Sequence, residues 1–408
     1  MLSAGAGVRD SQGAAGAWQG STSPQQPAAR PQGASGAVEA DAVIAGRPLV
    51  QYPEKANLIL LTSRPPQLET PMQYFDRAIT PNDAFFVRYH IYPPTSIDPA
   101  TWRLKITGHI DHPLELSLGD LQTRFPEARV FAVNQCSGNG RGYFEPRVLG
   151  GQWSNGAMGN AQWIGARMRD ILSAAGVKTG ALHVTFKGLD LPPAPSVPDF
   201  VKSLAVDQIM DNPDIIIAYR MNGEPLPMLN GFPARLVVPG WYSTYWVKNL
   251  EEISVLDHEF DGFWMKKAYR VPDTPCACVE PGTVPSRTVP ITRLNVRSFI
   301  ASPADGSSVP ARQPVMLKGI AFDGGYGISQ VEISSDRGAS WRRVPLGRDL
   351  GPYSFREWTA KWTPSRAGVY HLMVRAVNKA GESQPAEPLW NPSGYMRNVI
   401  EQIELRAT

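Results

Sequence analysis

With 408 residues, 42% of them hydrophobic and 19% charged, the chain carries enough apolar material for two or three domains with substantial cores. Its 38 prolines and 37 glycines indicate a loop-rich globular protein, which excludes a fibre or a wholly disordered chain. A net charge of +3 is too small to argue for nucleic acid, and no apolar run of about 18 residues exists to span a bilayer.

Residues 1–45 are rich in Ala, Gly, Ser, Gln and Pro, so a disordered leader or linker is predicted there. That stretch has no apolar signal core and no twin arginine, and the sequence leaves export open. A first folded domain is predicted over 46–285 and a second over 286–408. Residues 80–83 predict a turn and 84–90 a strand. Alternation places Phe86, Arg88 and His90 on one face of that strand, with Val87 and Tyr89 on the other. The first face either meets solvent or lines a polar site.

An apolar run at 131–135 predicts a short buried strand. It breaks into Cys136-Ser-Gly-Asn-Gly-Arg141, a loop whose small residues let backbone or a bulky ligand approach the sulfur. A thiolate suits a transition metal, and an arginine five residues on suits a small oxyanion. A buried structural cysteine in a glycine turn is the other reading of these residues alone. Ile164, Met168, Ile171, Leu172 and Ala175 recur at helical spacing, so an amphipathic helix is predicted over 161–175, closed by Gly176.

Further strands are predicted at 183–186, 215–219, 234–238 and 244–247. The proline-rich stretch 271–290 reads as an interdomain link. Within it, Cys276 and Cys278 are separated by one residue, too close for an ordinary bridge and without the partners of a zinc site; an incidental or structural role is expected. Beyond it, short strands at 315–321, 329–334, 357–362 and 370–376 predict an antiparallel β-sandwich.

Four motifs lift the cysteine out of the structural reading: Phe86-Val-Arg-Tyr-His90, Asn134-Gln-Cys-Ser-Gly-Asn-Gly-Arg141, Gly231–Gly240 with Trp246-Val-Lys248, and Phe263-Trp-Met-Lys-Lys-Ala-Tyr269. In this order they resemble the sulfite oxidase family of molybdenum enzymes, the bacterial sulfite dehydrogenases in particular. Residues 324–341 and 390–398 look like that family's immunoglobulin-like second domain, and the resemblance runs from about 55 to 405. It implies an α+β protein: a mixed α/β molybdopterin domain followed by an immunoglobulin-like sandwich.

By the same resemblance Cys136 is the protein ligand to a molybdenum held by one pterin. The matching cofactor contacts are Phe86, Val87, Arg88, Tyr89, His90, Asp190, Asn230, Arg235, Trp246, Val247 and Lys248. Family members often have His where this chain has Asn230 and Trp246. Arg88, Arg141 and Arg397 match the anion-pocket positions, with Trp153 as a wall and Tyr269 beside the reacting oxygen.

The implied activity is oxidation of sulfite to sulfate by oxygen-atom transfer, with electrons leaving one at a time to a c-type cytochrome, in the periplasm. A related oxidoreductase acting on another small substrate, or using oxygen as acceptor, is the alternative. No haem is expected in this chain, which has only six His for axial ligands and no stretch of haem-domain length ahead of the molybdenum domain. The resemblance also implies a homodimer through the second domain, or a tight cytochrome subunit in its place. Nitrate reductase would need fused haem and flavin domains, and a periplasmic methionine sulfoxide reductase would lack the sandwich. A cofactor-free binding module is the rival from outside the enzymes.

Overall fold

The computed structural model describes residues 46–408, so the predicted leader lies outside the described residues. The architecture is set by one long hairpin. Glu127–Gln135 pairs antiparallel with Met158–Arg167, from Glu127↔Ala166 to Gln135↔Met158, and Met158–Arg167 pairs on its other side with Ile216–Met221. Ala132, Val133, Ala161, Trp163 and Ala166 are all buried, so both faces of this hairpin are covered. Phe85 stands edge-on to Trp163, and Trp163 edge-on to Trp246, at 5.8 and 5.5 Å between ring centroids.

This sheet corrects the helix expected over 161–175. Residues 161–167 are strand, and the helix is only Met168–Ala175, closed as predicted by Gly176 in the left-handed region (φ 69°). A strand bonded on both sides and buried on both faces reads as continuous apolar sequence, which spacing cannot tell from a buried helix. Close packing of the central strand leaves no room at Gly165, where an added Cβ would lie 2.0 Å from the Ile217 carbonyl oxygen. We expect Gly165→Ala to destabilise the protein by about 1–3 kcal/mol, read as a lower denaturation midpoint.

A second, five-stranded sheet runs in the order Val201–Ala205, His183–Gly188, Leu250–Leu256, Leu104–Gly108, Leu114–Leu116. The strand expected at 84–90 is reduced to Val87–Arg88, paired with Pro66–Glu69. Its alternation nevertheless holds: Val87 and Tyr89 pack with Leu58 and Leu68, and Phe86, Arg88 and His90 face the other way. Residues 244–247 are not a strand. They begin within a tight turn at Ser243–Tyr245, fixed by bonds from Tyr245 Oη to the Ile291 carbonyl (2.7 Å) and from Trp246 Nε1 to the Trp241 carbonyl (3.0 Å).

All four strands expected beyond residue 310 are present. Arg297–Ser302, Val315–Phe322 and Arg356–Trp362 form one sheet, and a five-stranded sheet containing Ile328–Ser334, Gly368–Asn378 and Glu401–Ala407 packs against it. Leu317, Val331, Trp358, Val374 and Leu405 fill the space between them.

The stretch 271–290 is not an open link, because Arg270–Pro272 pairs with Thr288–Pro290 and closes its base. Cys276 and Cys278 form a disulfide across a Cα separation of 5.1 Å, which corrects the expectation that they stand too close to bridge. Ala277 takes the left-handed conformation (φ 51°), reversing the chain so that the two sulfurs meet.

The C-terminal segment folds back over the cysteine loop. Met396 N donates to the Ser137 carbonyl at 2.9 Å, and Asn295 Nδ2 to the Met396 carbonyl at 2.9 Å. Arg297, fully buried, bonds Glu401 at 2.7 Å and Asn155 at 3.0 Å.

Candidate active site

The end of the long hairpin delivers Cys136 to a cleft lined by cationic and aromatic side chains. Backbone bonds hold the loop that follows. Cys136 N donates to the Ala157 carbonyl, Asn139 N to the Cys136 carbonyl, and Ala157 N to Asn139 Oδ1, all at 2.9 Å. Gly140, at φ 82°, then turns the chain so that Arg141 comes back past the loop. Cys136 is 6% exposed and shares the cleft with Phe86, Arg88, His90, Asn134, Ser137, Asn230, Arg235, Trp246, Lys248 and Tyr269. Its surroundings combine aromatic side chains with the cations Arg88, Arg235 and Lys248.

One half of the cleft is built to hold an anion. Arg235 donates to the Asn230 carbonyl at 2.9 Å and the Trp246 carbonyl at 3.1 Å, and its guanidinium lies over the Trp163 and Trp246 rings. Burial lowers its pKa to about 9. Lys248 Nζ donates to the Arg88 carbonyl at 2.8 Å, and burial, then the Arg235 charge, push its pKa down. Asp190, within reach of Lys248, is pushed up by its own burial. Four lining residues carry a buried polar atom without a protein partner: Asn134 Nδ2, Ser137 Oγ, Arg235 Nε and Thr244 Oγ1. Each such atom costs about 1–3 kcal/mol if it stays unpaired, so the cluster calls for a polar ligand.

The other half is aromatic and proton-poor. Tyr269 Oη and His90 Nε2 are hydrogen-bonded; His90 stacks on Phe200 at 4.2 Å and meets Trp264 edge-on at 5.0 Å. Burial, then the Arg88, Lys248 and Lys202 charges, hold His90 well below its ordinary pKa, so the imidazole is neutral. Burial also raises the Tyr269 phenol, which keeps its proton. The Tyr269 ring stacks on Tyr395 at 5.4 Å, and the Arg141 guanidinium lies 4.9 Å from the Tyr395 centroid.

Not every expected site residue lines this cleft. Arg141 sits one ring behind Tyr269, its Nε donating to the Ser393 carbonyl at 3.1 Å. Val87, Tyr89 and Val247 are buried in the core, Trp153 is fully buried beyond the cysteine loop, and Asp190 stands outside the lining. The Asn230 amide accepts from Lys55 Nζ and donates to the Phe86 carbonyl. Arg397 departs most from expectation: its Nη1 bonds Glu401 at 2.8 Å and its guanidinium lies over Tyr143, on the far side of Gly140. Glu401, within reach of both Arg297 and Arg397, is the anion that holds it there.

Conversely, Asn134 and Ser137 of the cysteine motif line the cleft, and so do Phe200, Ser243 and Thr244, which no motif marks. A phenylalanine or a serine in a loop carries no signal beyond its hydropathy.

Among the described residues no three His, Cys, Asp or Glu side chains cluster to hold an ion, so a metal at Cys136 must bring most of its ligands with it. One thiol, a set of buried cations and a group of orphaned donors suit a metal carried by an anionic organic cofactor. Comparison with known proteins agrees. Residues 90–264 match the oxidoreductase molybdopterin binding domain family, and residues 288–407 the Mo-co oxidoreductase dimerisation domain family. Fold and site thus define a molybdopterin oxidoreductase.

Sulfite oxidase of Gallus gallus is 34% identical over 383 residues, covering 90% of this chain and 81% of that protein. Mitochondrial sulfite oxidase of Homo sapiens is 35% identical over 359 residues, covering 84% and 63%. The crystal structure of the sulfane dehydrogenase SoxCD from Paracoccus pantotrophus superposes with a TM-score of 0.71 at 26% identity, covering 84% of each chain. The chain belongs to the sulfite oxidase family. It spans 65% of the length of the Rattus norvegicus and Mus musculus relatives. Among the described residues, no helix is long and apolar enough to cross a membrane.

Proposed function

We propose that the protein oxidises sulfite to sulfate at a molybdenum held by one pterin, passing the electrons one at a time to a c-type cytochrome in the periplasm. The observation that carries this reading is the meeting of Cys136, Arg88 and the Tyr269–His90 pair in one cleft whose other half holds Arg235, Lys248 and the orphaned donors.

Cys136 would hold the metal. Arg235, Lys248, Asn134, Ser137 and Thr244 would hold the pterin and its phosphate, satisfying atoms the protein leaves unpaired. When bound, the cofactor supplies the two-electron oxidation of the sulfur centre. The chain's own residues do the rest. Arg88 and Arg141 draw a dianion toward Tyr269. The phenol, protonated and fixed by neutral His90, offers its hydroxyl without becoming a competing anion. Arg397 is assigned no direct contact, because Glu401 neutralises it on the other side of the loop.

Support for a homodimer comes from the match of residues 288–407 to a dimerisation domain. Support for sulfur oxidation comes from the sulfite oxidase relatives, and a second reading, oxidation of sulfane sulfur, is favoured by the SoxCD superposition.

Purified protein should contain molybdenum. It should reduce cytochrome c when given sulfite, and neither nitrate nor methionine sulfoxide should be turned over. Rapid reduction with a sulfane donor but not with sulfite would transfer the assignment to the second reading. Oxygen uptake in place of cytochrome reduction would replace the proposed acceptor.

A further inference from the structure

Lys202 is a buried cation the site description does not use. It lies in the strand Val201–Ala205, is 1% exposed, and donates from Nζ to the Trp264 carbonyl at 2.6 Å. Its ammonium also faces two aromatic rings, 4.7 Å from the Tyr245 centroid and 5.2 Å from that of Tyr269. Among the described residues no carboxylate lies within ion-pair distance of it. Lys55, another enclosed lysine, contrasts with it: Lys55 bonds three oxygens, those of Asn82, Phe85 and Asn230. One carbonyl and two ring faces compensate an ammonium poorly, and its desolvation is costly unless negative charge comes near.

Tyr269, whose ring faces the Lys202 ammonium, puts the cleft on the other side of that ring. Tyr269 lines the cleft, and so do His90 and Phe200, which pack against the Trp264 whose carbonyl Lys202 holds. The ammonium already acts through this wall, as one of three cations depressing His90. Burial lowers Lys202 itself to about 7, so an anion beyond Tyr269 favours its charged form.

We propose that Lys202 is a positioning residue for the anionic substrate: held behind Tyr269, it adds positive potential to that end of the cleft and sets anion affinity more than turnover. This rests on reading the cleft as a sulfite site.

The test compares holoenzyme carrying Lys202→Met or Lys202→Gln with the wild type. Gln retains a donor for the Trp264 carbonyl and loses the charge; Met loses both. Sulfate binding is followed by tryptophan fluorescence without any electron acceptor, and sulfite turnover is measured separately. Both variants should weaken sulfate binding and raise the sulfite KM about tenfold, leave kcat within about twofold, and reduce the dependence of KM on salt.

Removing a charge without an ion-pair partner should leave Tm and cofactor content at or above wild-type values. Should the Met variant misfold, the Gln variant decides alone. Wild-type affinity in both variants, or a defect in Met that Gln repairs, would overturn the proposal by showing that only packing or the Trp264 bond matters. A wild type that binds sulfate but turns over no sulfite would refute the sulfite assignment, and the fluorescence comparison would still decide Lys202. A wild type that binds no sulfate would overturn both.

Discussion

Replacing Cys136 with Ser should leave the pterin bound and lower kcat by at least about 100-fold. The two side chains are nearly equal in shape, and what shapes this loop is backbone: the Cys136 N–H to the Ala157 carbonyl, the Asn139 N–H to the Cys136 carbonyl, and Ala157 N–H to Asn139 Oδ1. None of these involves the sulfur. Arg235 and Lys248, which face the pterin half of the cleft, are positioned by the carbonyls of Asn230, Trp246 and Arg88, and those also survive.

What the substitution removes is the soft donor. A serine hydroxyl is far less acidic than a thiol and a harder ligand, so it neither ionises readily nor donates comparable electron density. Pterin released by denaturation, metal content and kcat should therefore separate: the first near wild type, the last nearly lost, with the cysteine contribution to the sulfur-to-metal absorption gone. A fully active Cys136→Ser protein would remove Cys136 from the metal.

That prediction depends on residues already conspicuous in the sequence, and the reason is physical. A cysteine among three glycines, and a strand placing Phe86, Arg88 and His90 on one side, are local patterns whose spatial consequence is nearly forced. The structure puts all four of these residues in one cleft. The strands of the sandwich were legible for the same reason, since half-buried antiparallel strands alternate with period two. Legibility failed where tertiary pairing decided the outcome. Residues 161–167 became strand because neighbours bond them on both sides. Cys276 and Cys278 bridge because Ala277 reverses the chain, a backbone choice composition does not announce. Lys202 was invisible: nothing in Val201–Ala205 says that its lysine points inward. Arg397 shows a further limit, since resemblance supplied a position for it but not the Glu401 carboxylate that claims its charge.

The Glu401 carboxylate should be worth about 3–5 kcal/mol, the usual consequence of removing one partner from a buried ion pair. It takes Arg297 at 2.7 Å and Arg397 at 2.8 Å on one oxygen and Asn155 at 3.3 Å on the other. Asn155 belongs to the loop beside Gly140, and Glu401 opens the last strand of the sandwich, so the cluster ties the cysteine loop to the C-terminal sheet.

Glu401→Gln keeps the shape and removes the charge, leaving Arg297 and Arg397 facing each other without an anion. The denaturation midpoint should fall accordingly. Arg397 then loses the anion that holds it over Tyr143, beside Gly140. The pH dependence fixes the sign. Burial alone would raise the Glu401 pKa, but Arg397 and Arg297 hold it below the ordinary carboxyl range. A group depressed in the folded state contributes stability that is complete above its unfolded-state pKa of about 4 and lost as pH falls through the folded value. Wild-type stability should therefore decline in acid below about pH 4 with a component that Glu401→Gln lacks. Equal midpoints for the two proteins at neutral pH, together with parallel acid profiles, would mean that the two guanidinium groups do not depend on this carboxylate for their charge balance.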